Sequence, residues 1–258
     1  MWSWVPWVLI ILFIILIGFL DSFKNQKVTR VVVINMDKNR ERMENIQRHW
    51  DLSDFKMELE RFPAVVGANL DPIEHVTPEA LAELTQTETR GYRTKHHQLT
   101  PGAIGCYLSH VSILKQMKPG DIYFILEDDA LFPPNIQFRI NTLLRKSPRN
   151  WDMILLGYNR YKSKGRRGDF DAIHSFWGTC GYLINFDGAQ KFLEETGSKI
   201  DCQIDSLMSW MSASGKLNTW ALRKPIVFTN QGFQSDIQYP IKVKGVDAFT
   251  YRDKILQL

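Results

Sequence analysis

Two short apolar runs constrain this chain more than any other feature. Residues 28–36 read VTRVVVINM and residues 123–132 read YFILEDDALF. The first is β-branched, apolar and too short for an ordinary helix, the pattern of a strand buried on both faces. The second drives an apolar strand into three adjacent carboxylates, Glu127, Asp128 and Asp129, and then turns apolar again before Pro133 and Pro134. Three like charges at one point repel, and burying them unpaired is costly. A positive partner is expected beside them.

Further strands are expected at 56–62, 153–157 and 178–185 and within 218–228. Helices are expected at 39–50, from Pro78, from Thr100–Pro101, at 136–144, from a cap at Asp187 to Gly197, and at 204–211. Thr100 followed by Pro101 is a strong helix start. Strands that alternate with helices predict an α/β domain with a mostly parallel sheet. Residues 85–99 and the basic run 160–169 read as loops. The 32 basic and 28 acidic side chains give a net charge of +4, which does not suit a dedicated nucleic-acid binder. Cys106, Cys180 and Cys202 are odd in number and widely spaced, so neither a disulfide framework nor a zinc site is read. One pair remains able to bridge in an oxidising lumen.

Residues 2–20 are apolar apart from Ser3, with Pro6 and Gly18 tolerated. About 20 apolar residues span a bilayer, and three tryptophans stand at the front edge as in an aromatic belt. A secretory signal peptide is the rival reading. The run is long, no basic side chain precedes it, and no small-residue cleavage site follows. The expectation is therefore a single-pass membrane protein, with an anchor and linker over 1–27 and one domain over 28–258. Lys24, Lys27 and Arg30 follow the span, which by the positive-inside rule leaves that domain in the cytosol.

In open α/β sheets, ligands bind beyond the carboxyl ends of strands, where Glu127, Asp128 and Asp129 stand. Hard oxygen donors there suit Mg²⁺ or Mn²⁺ bridging substrate phosphates. A solvated acidic turn is the alternative. Glu127 and Asp129 share one side of an extended chain, and Asp128 points away unless the turn begins one residue early. On the helix after Thr100, Gly102, Gly105, Cys106 and Ser109 form a stripe of small residues that admits another backbone or a flat ligand. Ser109 and His110 bring polar groups to that helix. Asn35 and Asp37 emerge from the first strand, and Arg42 lies one turn into the next helix.

Taken in order, VINMDKNRERMENI, RFPAVVG, LTPGAIGCYLSH, FILEDDALF, GTCGYLIN, DGAQKFL, IDSLM and QSDIQ resemble glycosyltransferase family 25, over roughly residues 28–238. That family includes lipooligosaccharide and collagen galactosyltransferases. The resemblance implies a GT-A-like nucleotide-sugar-binding fold behind one N-terminal transmembrane helix. It also implies inverting transfer of a hexose, commonly galactose from UDP-galactose, with Mn²⁺ (or Mg²⁺) held by a DxD-like motif. Glu127 and Asp129 fill the outer positions of that motif. Asp129 is then the direct metal ligand, and Glu127 and Asp128 meet the ribose or the metal's water shell. Asn35, Asp37 and Arg42 match the family's nucleotide-end segment, with Met36 in place of leucine. Gly102, Ser109 and His110 join them as candidate contacts to the UDP-sugar. Ala103 stands where the family often carries glutamate.

The acceptor implied is a hydroxyl of a glycan, lipid-linked or protein molecule, with no nucleic acid involved. Family analogy puts the domain in the lumen, opposite to the positive-inside reading. Inversion needs a general base for the acceptor hydroxyl. Asp205 is the first candidate, and His174 and Asp236 follow. The cations of 160–169 are read either as a lid over the phosphates or as a solvated surface. Trp177, Tyr182 and Trp210 are read either as sugar-stacking rings or as core. Two other functions stay open: a non-catalytic sugar-binding protein on the same fold, and a metal-dependent phosphohydrolase. The latter wants a D-x-D-x-T pattern, whereas this chain has Glu127 in the nucleophile's place and no threonine.

Overall fold

The computed structural model describes residues 26–94 and 98–237, together with residues 7, 8, 10, 11 and 13. The strands are β1 (Arg30–Asn35), β2 (Glu60–Pro63), β3 (Ile122–Glu127), β4 (Ala130–Leu131), β5 (Met153–Gly157), β6 (Arg160–Arg167), β7 (Phe170–Trp177), β8 (Gly181–Asn185), β9 (Thr219–Leu222) and β10 (Phe228–Thr229). The helices are α1 (Arg40–Asp51), the single turn α2 (Pro72–His75), α3 (Pro78–Arg90), α4 (Pro101–Leu114), α5 (Ile136–Lys146), α6 (Phe186–Glu195) and α7 (Ile204–Ser214).

Eight strands form one sheet in the order β2-β1-β3-β8-β5-β9-β7-β6, and β10 pairs with β4 beside it. Strand alternation sorts the core into two layers. Val31, Val33, Phe124 and Leu126 face Ile46 and Trp50 of α1 and Ile136, Ile140 and Leu144 of α5. Val32, Ile34, Tyr123 and Ile125 face Ile104, Tyr107 and Leu114 of α4, Phe192 of α6 and Met208 of α7. Helices on both faces explain why β1 and β3 carry no polar alternation.

The sheet is mixed, which corrects the expected mostly parallel one. β1 runs parallel to β2 and β3, and β5 parallel to β9. β8 is antiparallel to both β3 and β5, and β7 to both β9 and β6. A strand covered on both faces is apolar throughout whichever way it runs, so its composition does not encode its direction. The loop read at 160–169 is corrected too. It is the edge strand β6, paired with β7 and turning at Gly168. Outward cations are a common way to blunt a sheet edge. Residues 85–90 continue α3 instead of opening a loop. The cap of α6 is Asn185, whose Oδ1 accepts from Gly188 N at 2.7 Å, and not Asp187.

The single-pass membrane reading is corrected as well. Among the described residues no helix is long and apolar enough to cross a membrane. The span read at 2–20 lies largely outside the described residues, as does most of the linker after it.

Thr100 caps α4 as expected, its hydroxyl accepting from Ala103 N at 3.0 Å. The small-residue stripe on α4 admits backbone. A Cβ on Gly105 would lie 2.2 Å from Val65 O, and one on Gly67 only 1.7 Å from Pro101 O. Ser109 Oγ completes this contact, accepting from Val65 N at 2.9 Å and donating to Gly105 O at 2.7 Å. Gly105→Ala is expected to lower the unfolding free energy by about 3 kcal/mol, because backbone on both sides leaves no soft neighbour to move. Gly165→Ala, with nothing within 4 Å of the added Cβ, is expected to change it by less than about 0.5 kcal/mol. Urea denaturation of both variants checks the contrast.

Candidate active site

β3 delivers the three carboxylates to the carboxyl edge of the sheet, and the chain turns immediately after Glu127. The turn is clamped from outside by β10: Phe228 and Thr229 pair with Leu131 and Ala130, and Asn230 N donates to Asp129 O at 2.7 Å. Because the turn begins so early, all three side chains line one cavity.

The expected positive partner is Arg42. Its guanidinium donates to Asp128 Oδ1 at 2.9 Å, with both side chains largely buried. Asn35 Nδ2 donates to Asp128 Oδ2 at 2.7 Å, and Arg61 Nε donates to Asn35 Oδ1 at 2.9 Å. Arg61 also pairs with the exposed Asp37. On its other side Arg42 meets Asp236 Oδ2 at 3.2 Å and the carbonyl of Gln234. Asp236 further receives Lys38 Nζ at 2.8 Å and Asn39 Nδ2 at 2.7 Å. Burial pushes the Asp236 carboxyl up, but the bonds from Lys38 and Asn39 and the charge of Arg42 outweigh it and hold the pKa low. Burial alone would depress the Arg42 pKa, but the bond and charge of Asp128 with those of its acidic neighbours raise it.

Among the described residues no cation pairs directly with Glu127 or Asp129. Glu127 Oε1 accepts from Thr179 Oγ1 at 2.9 Å, and Asp129 Oδ1 is buried without a hydrogen-bond partner among the described residues. Burial, then the neighbouring carboxylates, push both pKa values up. Hard oxygen donors, one of them orphaned and buried, fit a divalent cation. Among the described residues no group of three or more His, Cys, Asp or Glu side chains forms a metal cage.

Two cavities meet at this turn. The first, about 750 Å³, is lined by Met36, Lys38, Asn39, Arg42, the backbone segment 64–68, Gly102 and His110. The second, about 560 Å³, is lined by Asn159, Trp177, Thr179, Gln203, Asp205 and Asn230. Glu127, Asp129 and Cys106 border both. Asp205 stands in the first turn of α7, where its Oδ2 accepts from Gly178 N at 3.1 Å, and burial raises its pKa. Burial and the charges of Glu127 and Asp205 push the Cys106 thiol far up, leaving it neutral. All three cysteines are free.

The other candidates are placed as follows. Asn35 and Ser109 line neither cavity, their polar atoms being engaged by neighbours. Asp37 faces solvent with Arg61. His174 sits mid-strand in β7 and lines neither cavity, and the cations of β6 line neither. Tyr182 is fully buried core, and Trp210 is exposed under Lys216 Nζ. Thr179, Asn159, Gln203 and Asn230 were not singled out from sequence. Thr179 falls in a segment that marked only a strand, and Asn230 contributes through its backbone, for which side-chain type gives no signal.

Strand-end carboxylates thus wall two adjoining cavities in a three-layer α/β domain. Residues 28–208 match the family model "Glycosyltransferase family 25 (LPS biosynthesis protein)", and the chain belongs to that family. It is 32% identical over 208 residues to a glycosyltransferase 25 family member of Drosophila melanogaster, covering 74% of this chain and 32% of that protein. It is 31% identical over 177 residues to procollagen galactosyltransferase 1-B of Xenopus laevis, covering 63% of this chain and 28% of that one. The chain thus spans roughly a third of the length of the curated relatives it matches. Among solved structures, the glycosyltransferase GlyE of Streptococcus pneumoniae TIGR4 is similar at a TM-score of 0.44 and 10% identity, covering 89% of this chain and 61% of that one. The family assignment displaces the phosphohydrolase alternative.

His110 supplies a pH-dependent test of the site's packing. It is fully buried, its Nδ1 lies 2.8 Å from Tyr182 OH, and its Nε2 has no partner among the described residues. Burial pushes its pKa down to about 4, against about 6.5 in the unfolded chain. Stability tied to the neutral ring is complete above about pH 6.5 and is lost as pH falls toward 4. At pH 5 the loss amounts to about 2 kcal/mol. Unfolding free energies at pH 7.5 and pH 5 are expected to differ by about that much less in His110→Gln than in the wild type.

Proposed function

We propose that this chain is a metal-assisted, inverting glycosyltransferase that moves a hexose, galactose first among candidates, from a UDP-sugar to an acceptor hydroxyl. The acceptor class is a glycan, lipid-linked or protein molecule. The observation that carries this reading is the shared wall: Glu127 and Asp129 separate a cavity lined by Lys38, Asn39 and Arg42, with their partner carboxylates Asp128 and Asp236, from one that holds a buried carboxylate, Asp205. Family membership and relatives named as galactosyltransferases agree with it.

In this reading the nucleotide end occupies the first cavity, with Lys38, Asn39 and Arg42 facing the diphosphate. Gly102, the backbone at Gly67 and His110 border the same cavity. Asp129 and Glu127 would hold Mn²⁺ or Mg²⁺, which supplies charge neutralisation for the departing nucleoside diphosphate. The acceptor enters the second cavity, where Trp177 offers a ring face. Its hydroxyl oxygen bonds to the anomeric carbon as the bond from that carbon to the phosphate oxygen breaks, and its proton passes to the Asp205 carboxylate. A base on the face opposite the leaving group gives inversion. Burial, which makes Asp205 more basic, suits the role. Asp236, engaged by three donors, is poorly placed to accept a further proton, and His174 lies away from both cavities.

The test is UDP release from a panel of UDP-sugars with Mn²⁺, with and without EDTA. UDP-galactose is expected to be turned over only with the metal. Asp129→Asn is expected to lower kcat at least 1,000-fold with an unchanged melting curve, an effect of about 4 kcal/mol. Asp205→Asn is expected to lower kcat by about 100- to 10,000-fold while UDP binding by calorimetry stays within about twofold. Binding of no UDP-sugar, or full activity in Asp129→Asn, would overturn the reading.

A further inference from the structure

A third cavity, about 660 Å³, lies between α5, the turn joining β6 to β7, and the segment after β9. It faces the other layer of the molecule. Its floor residues Leu143, Phe170, Leu222 and Ile226 belong to the core on the α1 and α5 side, whereas Ala103 and Ile204, which line the second cavity, belong to the opposite core. The volume is that of a small-ligand site.

Its lining combines two chemistries that a solvated surface seldom brings together. Arg139, Lys146, Arg223 and Lys224 line it against a single carboxylate, Asp169. No side-chain hydrogen bond or ion pair engages Lys146, Arg223 or Lys224 among the described residues, and Arg139 spends one donor on Asn135 Oδ1. Beside them Phe138 is 62% exposed on α5. Arg167 flanks the mouth through its pairing with Phe170. Clustered cations repel one another, and the exposed ring leaves apolar surface in water. An anion relieves the first, and an apolar group removes the second.

We propose that this cavity binds an amphiphilic phosphate: a phosphate mono- or diester group carried on an apolar chain, with the phosphate held by Arg223 and Lys224 and the chain laid over Phe138 and the Phe170–Leu222 floor. A neutral sugar has no use for four cations, and inorganic phosphate has no use for the aromatic floor. This inference does not depend on the transferase reading, because binding is measured without donor, metal or turnover. The segment that carries Arg223 and Lys224 is fixed by its backbone. Arg223 N bonds Asp169 O, and Ile226 N and Val227 N both bond Leu156 O. Truncating the two side chains therefore leaves the fold intact.

Titration calorimetry on the full chain with decyl phosphate below its micelle concentration is the test, with inorganic phosphate and decyl maltoside as separate arms. Decyl phosphate is expected to bind at least tenfold more tightly than either. Arg223→Ala/Lys224→Ala is expected to weaken it at least tenfold, and Phe138→Ser about fivefold, with circular dichroism melts matching the wild type. Undetectable decyl phosphate binding, undiminished binding by the double variant, or equal binding of inorganic phosphate would overturn the proposal.

Discussion

The pairing of Arg42 with Asp128 makes an acidic strand end compatible with a folded domain. Three carboxylates on consecutive residues at the edge of a buried sheet would each lose hydration and repel the others. Arg42 neutralises one of them, and Asn35 fixes its second oxygen. The pair links α1, the end of β1 and the turn after β3. A largely buried ion pair of this kind contributes little net stability, but removing one partner costs several kcal/mol. Its effect is positional: Asp128 is satisfied internally, and Glu127 and Asp129 are left to border the two cavities.

How much of this was legible in the sequence depended on whether a residue's role is local. β1, β3 and β5 were readable because continuous β-branched or apolar runs of that length have few other uses. The start of α4 was readable because Thr100 and Pro101 act within one turn. The order and direction of strands were not, since β8 and β7 reverse direction without changing composition. β6 reads as a loop because this edge strand carries charge on both faces, which erases the period of two. In the site, Glu127, Asp129 and Asp205 were each marked by a carboxylate at the end or start of an element, and the fold brings them to one wall. Asn35, Asp37 and Ser109 carried the same kind of mark, yet their polar atoms are engaged by neighbours or turned to solvent. Whether a polar side chain has atoms to spare depends on long-range partners such as Arg61 and Val65, which local pattern does not encode.

The carboxylate wall also relates the two cavities electrically. Among the described residues Asp129 Oδ1 has no hydrogen-bond partner and the Glu127 side chain accepts from Thr179, and burial with mutual repulsion raises both pKa values. Positive charge brought to this wall relieves that repulsion. The cavity on one side carries Lys38 and Arg42 with their partner carboxylates Asp128 and Asp236, and the cavity on the other is lined by amides, a threonine and Asp205.

The position of β9 governs the order in which this molecule can assemble. β9 lies between β5 and β7, so a strand drawn from residues 219–222 completes a sheet whose other seven strands end by residue 185. The segment that follows supplies β10, Asn230 and Asp236 to the carboxylate turn. During synthesis, the β6–β7 hairpin waits for its link to the rest of the sheet until nearly the whole described chain has left the ribosome. Such high contact order slows folding and leaves the facing edges of β5 and β7 open to wrong pairing meanwhile. A truncation before residue 219 would accordingly yield an aggregating chain, not a smaller working domain.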